Sequence, residues 1–215
     1  MTRLSVTAFF IKTVALASTV LLTTSFHGQH KDTSKEFEGI ITYRVIVKSQ
    51  TKEKRNAWQK EYGTMIKFYY KNGNYRMEMN GNVTKTVIFK ANTNTEYYIK
   101  MWGIIDSVEC SSEKVTLKNI DDKATDKRIL RRKVRLLEET FSDGAIHQYY
   151  YDPTIFINPI YWEKHHKAFL DTTFAISKSI FLKYTFQTYD YTLTYKAKNI
   201  KFTTLNDSLF DYKKK

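Results

Sequence analysis

Residues 37–48 alternate with a period of two. Phe37, Ile41, Tyr43, Val45 and Val47 share one face, and Thr42, Arg44 and Lys48 share the other. Successive side chains of a β-strand point to opposite faces, so the pattern is that of a half-buried strand. The same signature, rich in β-branched and aromatic residues, returns at residues 64–71, 74–79, 83–90, 96–102, 130–140, 145–151, 179–187 and 189–197, with a shorter piece at 200–205. Asn72-Gly73, Asn80-Gly81 and Ser142-Asp143-Gly144 punctuate these runs. Asn-Gly accepts the positive φ angles of tight hairpin turns, and links this short join antiparallel neighbours. The expected architecture is therefore mainly β (α+β), a twisted antiparallel sheet whose strands pair mostly in sequence order.

Three stretches break the rhythm. Residues 50–62 are charged, lack Pro and Gly, and place Trp58 and Tyr62 four apart, which suits a short surface helix or an ordered excursion. Residues 121–127 are polar without a period and read as a loop. Asn158-Pro159 reads as a helix start, Asn as the cap and Pro at the first helical position. From there Tyr161, His165, Ala168, Phe169 and Thr172 fall on one stripe, predicting a helix over 159–175 that packs Tyr161, Ala168 and Phe169 on the sheet.

Residues 1–29 differ from everything after them. Arg3 and Lys12 are their only charges, and an apolar run from Val14 to Leu22 is followed by a short polar exit. That is the layout of a secretory signal. A membrane anchor needs about 20 apolar residues, more than this run supplies unless Lys12 snorkels. The expected organisation is a signal peptide at 1–29 and a single β-rich domain at 30–215, exported to the periplasm or the exterior. No Cys lies near residue 29, so a lipid anchor on a new N-terminal Cys is not expected. Aromatic residues make up 15% of the chain, which excludes a disordered one. One Cys excludes an intrachain disulfide and a cysteine zinc cluster. Cys110 lies in the apolar stretch 104–110 and reads as a buried, inert thiol.

Four segments in this order carry a resemblance: FEGIITYRV at the start of the domain, YYKNGNYRMEM, ILRRKVRLLEETFSDGAIHQYYYDPTIFINP, and LNDSLFDY near the end. They resemble a group of secreted proteins from Gram-negative bacteria that are related in fold to the periplasmic lipoprotein carriers (LolA-like). In that group a later strand reads roughly I-L-G-Y-K-C. Here Arg131 stands in place of the Gly and Val134 in place of the frequent Cys. The resemblance spans most of residues 37–212. It implies a strongly curved antiparallel sheet, or unclosed barrel, with a helix on its concave side and no catalytic residues.

The sequence offers few chemical constellations. His165-His166 with Glu163 and Asp171 is the only His cluster. Adjacent His side chains on a helix diverge by about 100°, so the pair reads as structural and neither a metal nor a cofactor is expected. No nucleophile elbow, dinucleotide fingerprint or P-loop occurs, and Asp121-Asp122 and Glu138-Glu139 carry no acid–base signature. The expectation is a non-enzyme.

The net charge is +13, and Arg131, Lys133 and Arg135 alternate along one strand face. A basic outer face of this kind suits anionic envelope surfaces, or else is a solvated face. Export argues against nucleic acid. Two functions follow: a carrier of a lipid or other apolar ligand in the concavity, or an interaction protein that makes peripheral contact with anionic surfaces through Arg131, Lys133 and Arg135.

Overall fold

The computed structural model describes residues 35–212. The expected signal peptide and the Lys213–Lys215 tail lie outside the described residues. The chain runs β1 (Gly39–Ser49), α1 (Lys52–Tyr62), β2 (Met65–Lys71), β3 (Asn74–Met79), β4 (Thr84–Lys90), β5 (Thr95–Lys100), β6 (Ile105–Glu109), β7 (Leu117–Ile129), β8 (Arg132–Phe141), β9 (Ile146–Phe156), α2 (Leu170–Ser177), β10 (Ser179–Gln187) and β11 (Tyr191–Phe202).

All eleven strands form one antiparallel sheet in the order β6-β5-β4-β3-β2-β1-β11-β10-β9-β8-β7. Two meanders, β1–β6 and β7–β11, are thus joined where the first strand pairs with the last, from Gly39–Phe202 to Ser49–Tyr191. Among the described residues β6 and β7 are the edges, so the sheet is a strongly curved, unclosed barrel with helical segments on its concave side. No helix among the described residues is long and apolar enough to cross a membrane.

The alternation in β1 is realised. Ile41, Tyr43, Val45 and Val47 are buried and Arg44 and Lys48 are exposed. The excursion after β1 is a helix. The Thr51 hydroxyl accepts from the Lys54 amide at its start, and Gly63 ends it with φ 77°. Trp58 and Tyr62 stack on each other, and Trp58 lies 4.5 Å from the Tyr191 ring.

Both edges depart from the sequence expectation. Residues 121–127, read as a loop, form the middle of β7. An edge strand with two wetted faces needs no apolar alternation, and its charges are matched across the ladder instead: Asp122 pairs with Arg135 at 2.9 Å and Lys123 with Glu138 at 3.2 Å. β6 lies in the stretch expected to be simply apolar, and residues 101–104 form the turn that separates it from β5. The β7–β8 turn was invisible because it contains neither Gly nor Asn. Leu130 and Arg131 themselves take φ 51° and 64°. β8 therefore begins at Arg132, and the run from 189 to 205 resolves into one long β11 ending at Phe202.

The helix expected over 159–175 is broken. A 3-10 turn over Pro159–Trp162, capped by the Asn158 side chain, is followed by a second over Lys167–Phe169 and then by α2. Ala168 and Phe169 take φ 52° and 54°, which resets the helical phase. The expected stripe is therefore corrected. His165 is buried, but Tyr161, Ala168, Phe169 and Thr172 are half-buried, and Trp162, Thr173, Phe174 and Ser177 face the core. The segment is fixed to the β2–β3 hairpin at Gly73, where φ is 76° and a Cβ would lie 2.3 Å from that of Tyr161.

Candidate functional site

The concave face keeps a hollow that the helical segment does not fill. Strand alternation turns Tyr43, Phe68, Tyr149, Tyr184, Phe186 and Tyr195 into it, and Trp162 and Phe174 join the lining from the helical segment. The cavity has a volume of about 230 Å³ and a mostly apolar lining. A second hollow of about 230 Å³ adjoins it toward α1 and shares Tyr75, Met77, Glu96 and Tyr195 with it. Stacked rings make the wall rigid: Phe174 on Phe181 at 4.8 Å, Tyr184 on Tyr195 at 4.3 Å, and Phe68 on Tyr75 at 5.6 Å.

A compact polar cluster lies where the two hollows meet. Glu96, at the start of β5, is buried and accepts hydrogen bonds from the hydroxyls of Tyr75 and Tyr98 and from the Lys167 ammonium. Burial alone would push its carboxyl up. The Lys167 charge and the two hydroxyls outweigh that, and the carboxyl is held below its ordinary value. Lys167 answers in the same sense. Burial opposes its charge, but Glu96 raises its pKa well above the ordinary lysine value.

His165 stands on the other side of Glu96, its Nε2 at 3.9 Å from Oε1, with its ring edge-on to Phe89. Burial lowers its pKa, so the imidazole is neutral near pH 7. Cys110 completes the group. Burial, with the Glu96 charge second, pushes its thiol up to about 12, which keeps it protonated and unreactive as a nucleophile.

Backbone contacts hold the cluster together. Lys167 N donates to the Cys110 carbonyl at 3.1 Å, and Cys110 N donates to the Asn94 carbonyl at 2.9 Å. The Asn94 side chain donates to the Lys164 carbonyl at 2.6 Å. Sequence reasoning reached none of this as a site, because the members come from β3, β5, the end of β6 and the broken helix. The positive φ at Ala168, which lets Lys167 turn inward, leaves no mark in the residue types.

The His pair separates, although neither residue lies in a helix. His166 is exposed and meets Asp171 at 2.8 Å, while His165 goes into the core. Glu163 is exposed and joins neither.

The basic stripe is dispersed. Arg131 lies in the β7–β8 turn rather than on the strand, and Lys133 is exposed beside it. Arg135 shares the face of Leu137, and its guanidinium is engaged by Asp122 and the Tyr151 hydroxyl. A different set of cations gathers on the outer face. Arg44 stands opposite Lys196, and Lys196 opposite Lys183, in adjacent strands. Lys183 and Lys127 both lie over the Tyr150 ring, at 4.5 and 4.9 Å. None of these four forms an ion pair among the described residues. Burial lowers the pKa of Lys183, and Lys127, Lys196 and Lys48 add to the effect. Like charges directly opposite in a sheet are destabilising. Only the strand register, not the sequence spacing, assembles this row.

Neither the family models nor the curated proteins contain a significant match to the chain.

Proposed function

We propose that the protein is an exported, non-enzymatic carrier that takes an apolar chain of lipid type into the concavity of its sheet. The observation that carries this reading is the pair of adjoining hollows under the curved sheet, walled by aromatic rings and not filled by the helical segment. Side by side the hollows reach the range of about 300–1,000 Å³ usual for small-molecule sites, and their lining offers an extended guest apolar contact with few hydrogen bonds. The resemblance to lipoprotein carriers agrees with such a guest. The signal-like layout of residues 1–29 agrees with export to the periplasm or beyond.

The test uses the full chain, freed of co-purified lipid and titrated with a fluorescent acyl probe. Saturable binding that is indifferent to salt, and that Met77→Trp abolishes by filling the shared wall of the two hollows, is the expected result. A folded protein that never saturates with the probe would overturn the reading.

A second reading is favoured by the cation row on the outer face, Arg44, Lys196, Lys183 and Lys127. It makes the protein a peripheral binder of anionic envelope surfaces. Each basic residue near an anionic membrane contributes about 1 kcal/mol and is screened within about 8 Å at physiological salt. Sedimentation with anionic vesicles at low salt tests it. Replacing Arg44, Lys183 and Lys196 together by Gln should release the protein, and replacing the dispersed Arg131, Lys133 and Arg135 should do less. No sedimentation at low salt would leave the row a solvated surface.

A further inference from the structure

We propose that Glu96, Cys110 and His165 form a site for a divalent transition-metal ion of zinc-like preference, with one coordination position open toward the cavity. The three residues each present one donor atom, and the three atoms lie within 4.8 Å of one another in the buried interior. Zinc bonds of about 2.0–2.3 Å would draw such atoms inward by a small side-chain adjustment.

The imidazole gives the second, independent reason. His165 Nδ1 lies 3.2 Å from the Lys167 carbonyl oxygen, which can only accept, so Nδ1 carries the proton. Nε2 then presents a bare lone pair. It is fully buried, has no hydrogen-bond partner among the described residues, and faces the Glu96 Oε1 oxygen at 3.9 Å. Two acceptors facing each other in the buried interior repel, and a cation between them turns the repulsion into coordination.

The surroundings already have the form of a metal site's outer shell. A ligating His characteristically donates its other N–H to a backbone carbonyl, as His165 does to Lys167. A ligating carboxylate is itself hydrogen-bonded. The Tyr75 hydroxyl donates to Oε1, and Tyr98 and Lys167 hold Oε2, leaving Oε1 to bind through its remaining lone pair. One nitrogen, one oxygen and one sulfur donor suit zinc rather than calcium or magnesium, which take oxygen. On binding, the Cys110 S–H bond gives way to a sulfur–metal bond and the proton passes to the buffer. Glu96 and His165 also line the first hollow, so the fourth position faces it. The site does not depend on that hollow carrying a lipid.

Cobalt(II) is the probe. The full chain is stripped with chelator in mild denaturant and refolded with cobalt, so that burial cannot keep the ion out. The expected result is one cobalt per chain, with a thiolate-to-cobalt band in the near ultraviolet and displacement by zinc. Cys110→Ser should abolish the band, His165→Gln should weaken binding about tenfold or more, and His166→Ala should change nothing. A measurement on the unaltered chain guards against variants that fail to fold: in the same mild denaturant, where the buried thiol becomes reachable, zinc should slow alkylation of Cys110. A refolded protein without the near-ultraviolet band, or Cys110 alkylation unaffected by zinc, would overturn the proposal. So would a band that survives Cys110→Ser or is lost in His166→Ala.

Discussion

Two carboxylates are buried beneath the helical segment, one on each arm of the sheet, and they are held differently. Glu96 on β5 has a full cation, Lys167, and two tyrosine hydroxyls. Glu139 on β8 is as deeply buried, yet its partners are the Thr173 hydroxyl on one oxygen and, at 3.7 Å from the other, His147. Its Oε2 has no hydrogen bond among the described residues. Each carboxylate ties the 163–177 segment to one arm, Glu96 through Lys167 and Glu139 through Thr173. The difference teaches where the segment is anchored. The β5 side is an ionic clamp and the β8 side a single hydroxyl, so the second is the side that should yield first when the concavity is opened.

Four substitutions break or sharpen this contrast, read as unfolding free energies in denaturant titrations. Phe174 packs on Trp162 within the helical segment and on Phe181 of β10, so Phe174→Ala loosens the segment as a whole and should cost about 3–5 kcal/mol. Lys167→Met leaves Glu96 buried without its cation and should cost about 3 kcal/mol, the low end for a broken buried pair because the two tyrosine hydroxyls remain. Thr173→Val removes the hydrogen bond that the Thr173 hydroxyl donates to Glu139 and should cost about 2 kcal/mol. A larger loss from Thr173→Val than from Lys167→Met would reverse the assignment of strong and weak clamps. The smallest effect is a reference far from both: Arg131→Gly relieves a positive φ in the β7–β8 turn and should raise stability by about 0.5–1 kcal/mol.

Much of the fold was legible where burial imposes a period. β1 through β5 and β8 through β11 have one face on the core, so residues such as Tyr43, Val45 and Leu193 mark them in the sequence. The two edges, β6 and β7, have no such constraint, and β7 in particular is held by cross-strand charge pairs that composition alone reads as a loop. The start at Asn158 was readable from its cap, but the break at Ala168 and Phe169 was not. Neither residue type favours positive φ, and the conformation is imposed by the contacts of Lys167 and of Glu113, whose carboxylate accepts from the Ala168 amide at 2.7 Å.

The candidate site was less legible than the fold. The apolar stretch around Cys110 marks it as buried, and the alternation of residues 37–48 puts Tyr43 on the buried face, but nothing local marks Trp162 or Phe174 as wall residues. Which apolar residues stay uncovered depends on sheet curvature and on how far the helical segment reaches, and neither is written in any local pattern. The outer cation row needed the register of three strands, Arg44 to Lys196 to Lys183, before it could be seen.

The central claim is that the concavity holds an apolar chain. Trp162 is the tryptophan that lines it, so Trp58→Phe with Trp102→Phe leaves a fluorophore in its wall. Titration of this variant with a fatty acid brominated along its chain should quench Trp162 saturably, with the same midpoint at low and high salt, and an unbrominated chain should compete. Trp162 emission that stays unquenched in the folded protein, at concentrations where the chain remains monomeric, would contradict the account.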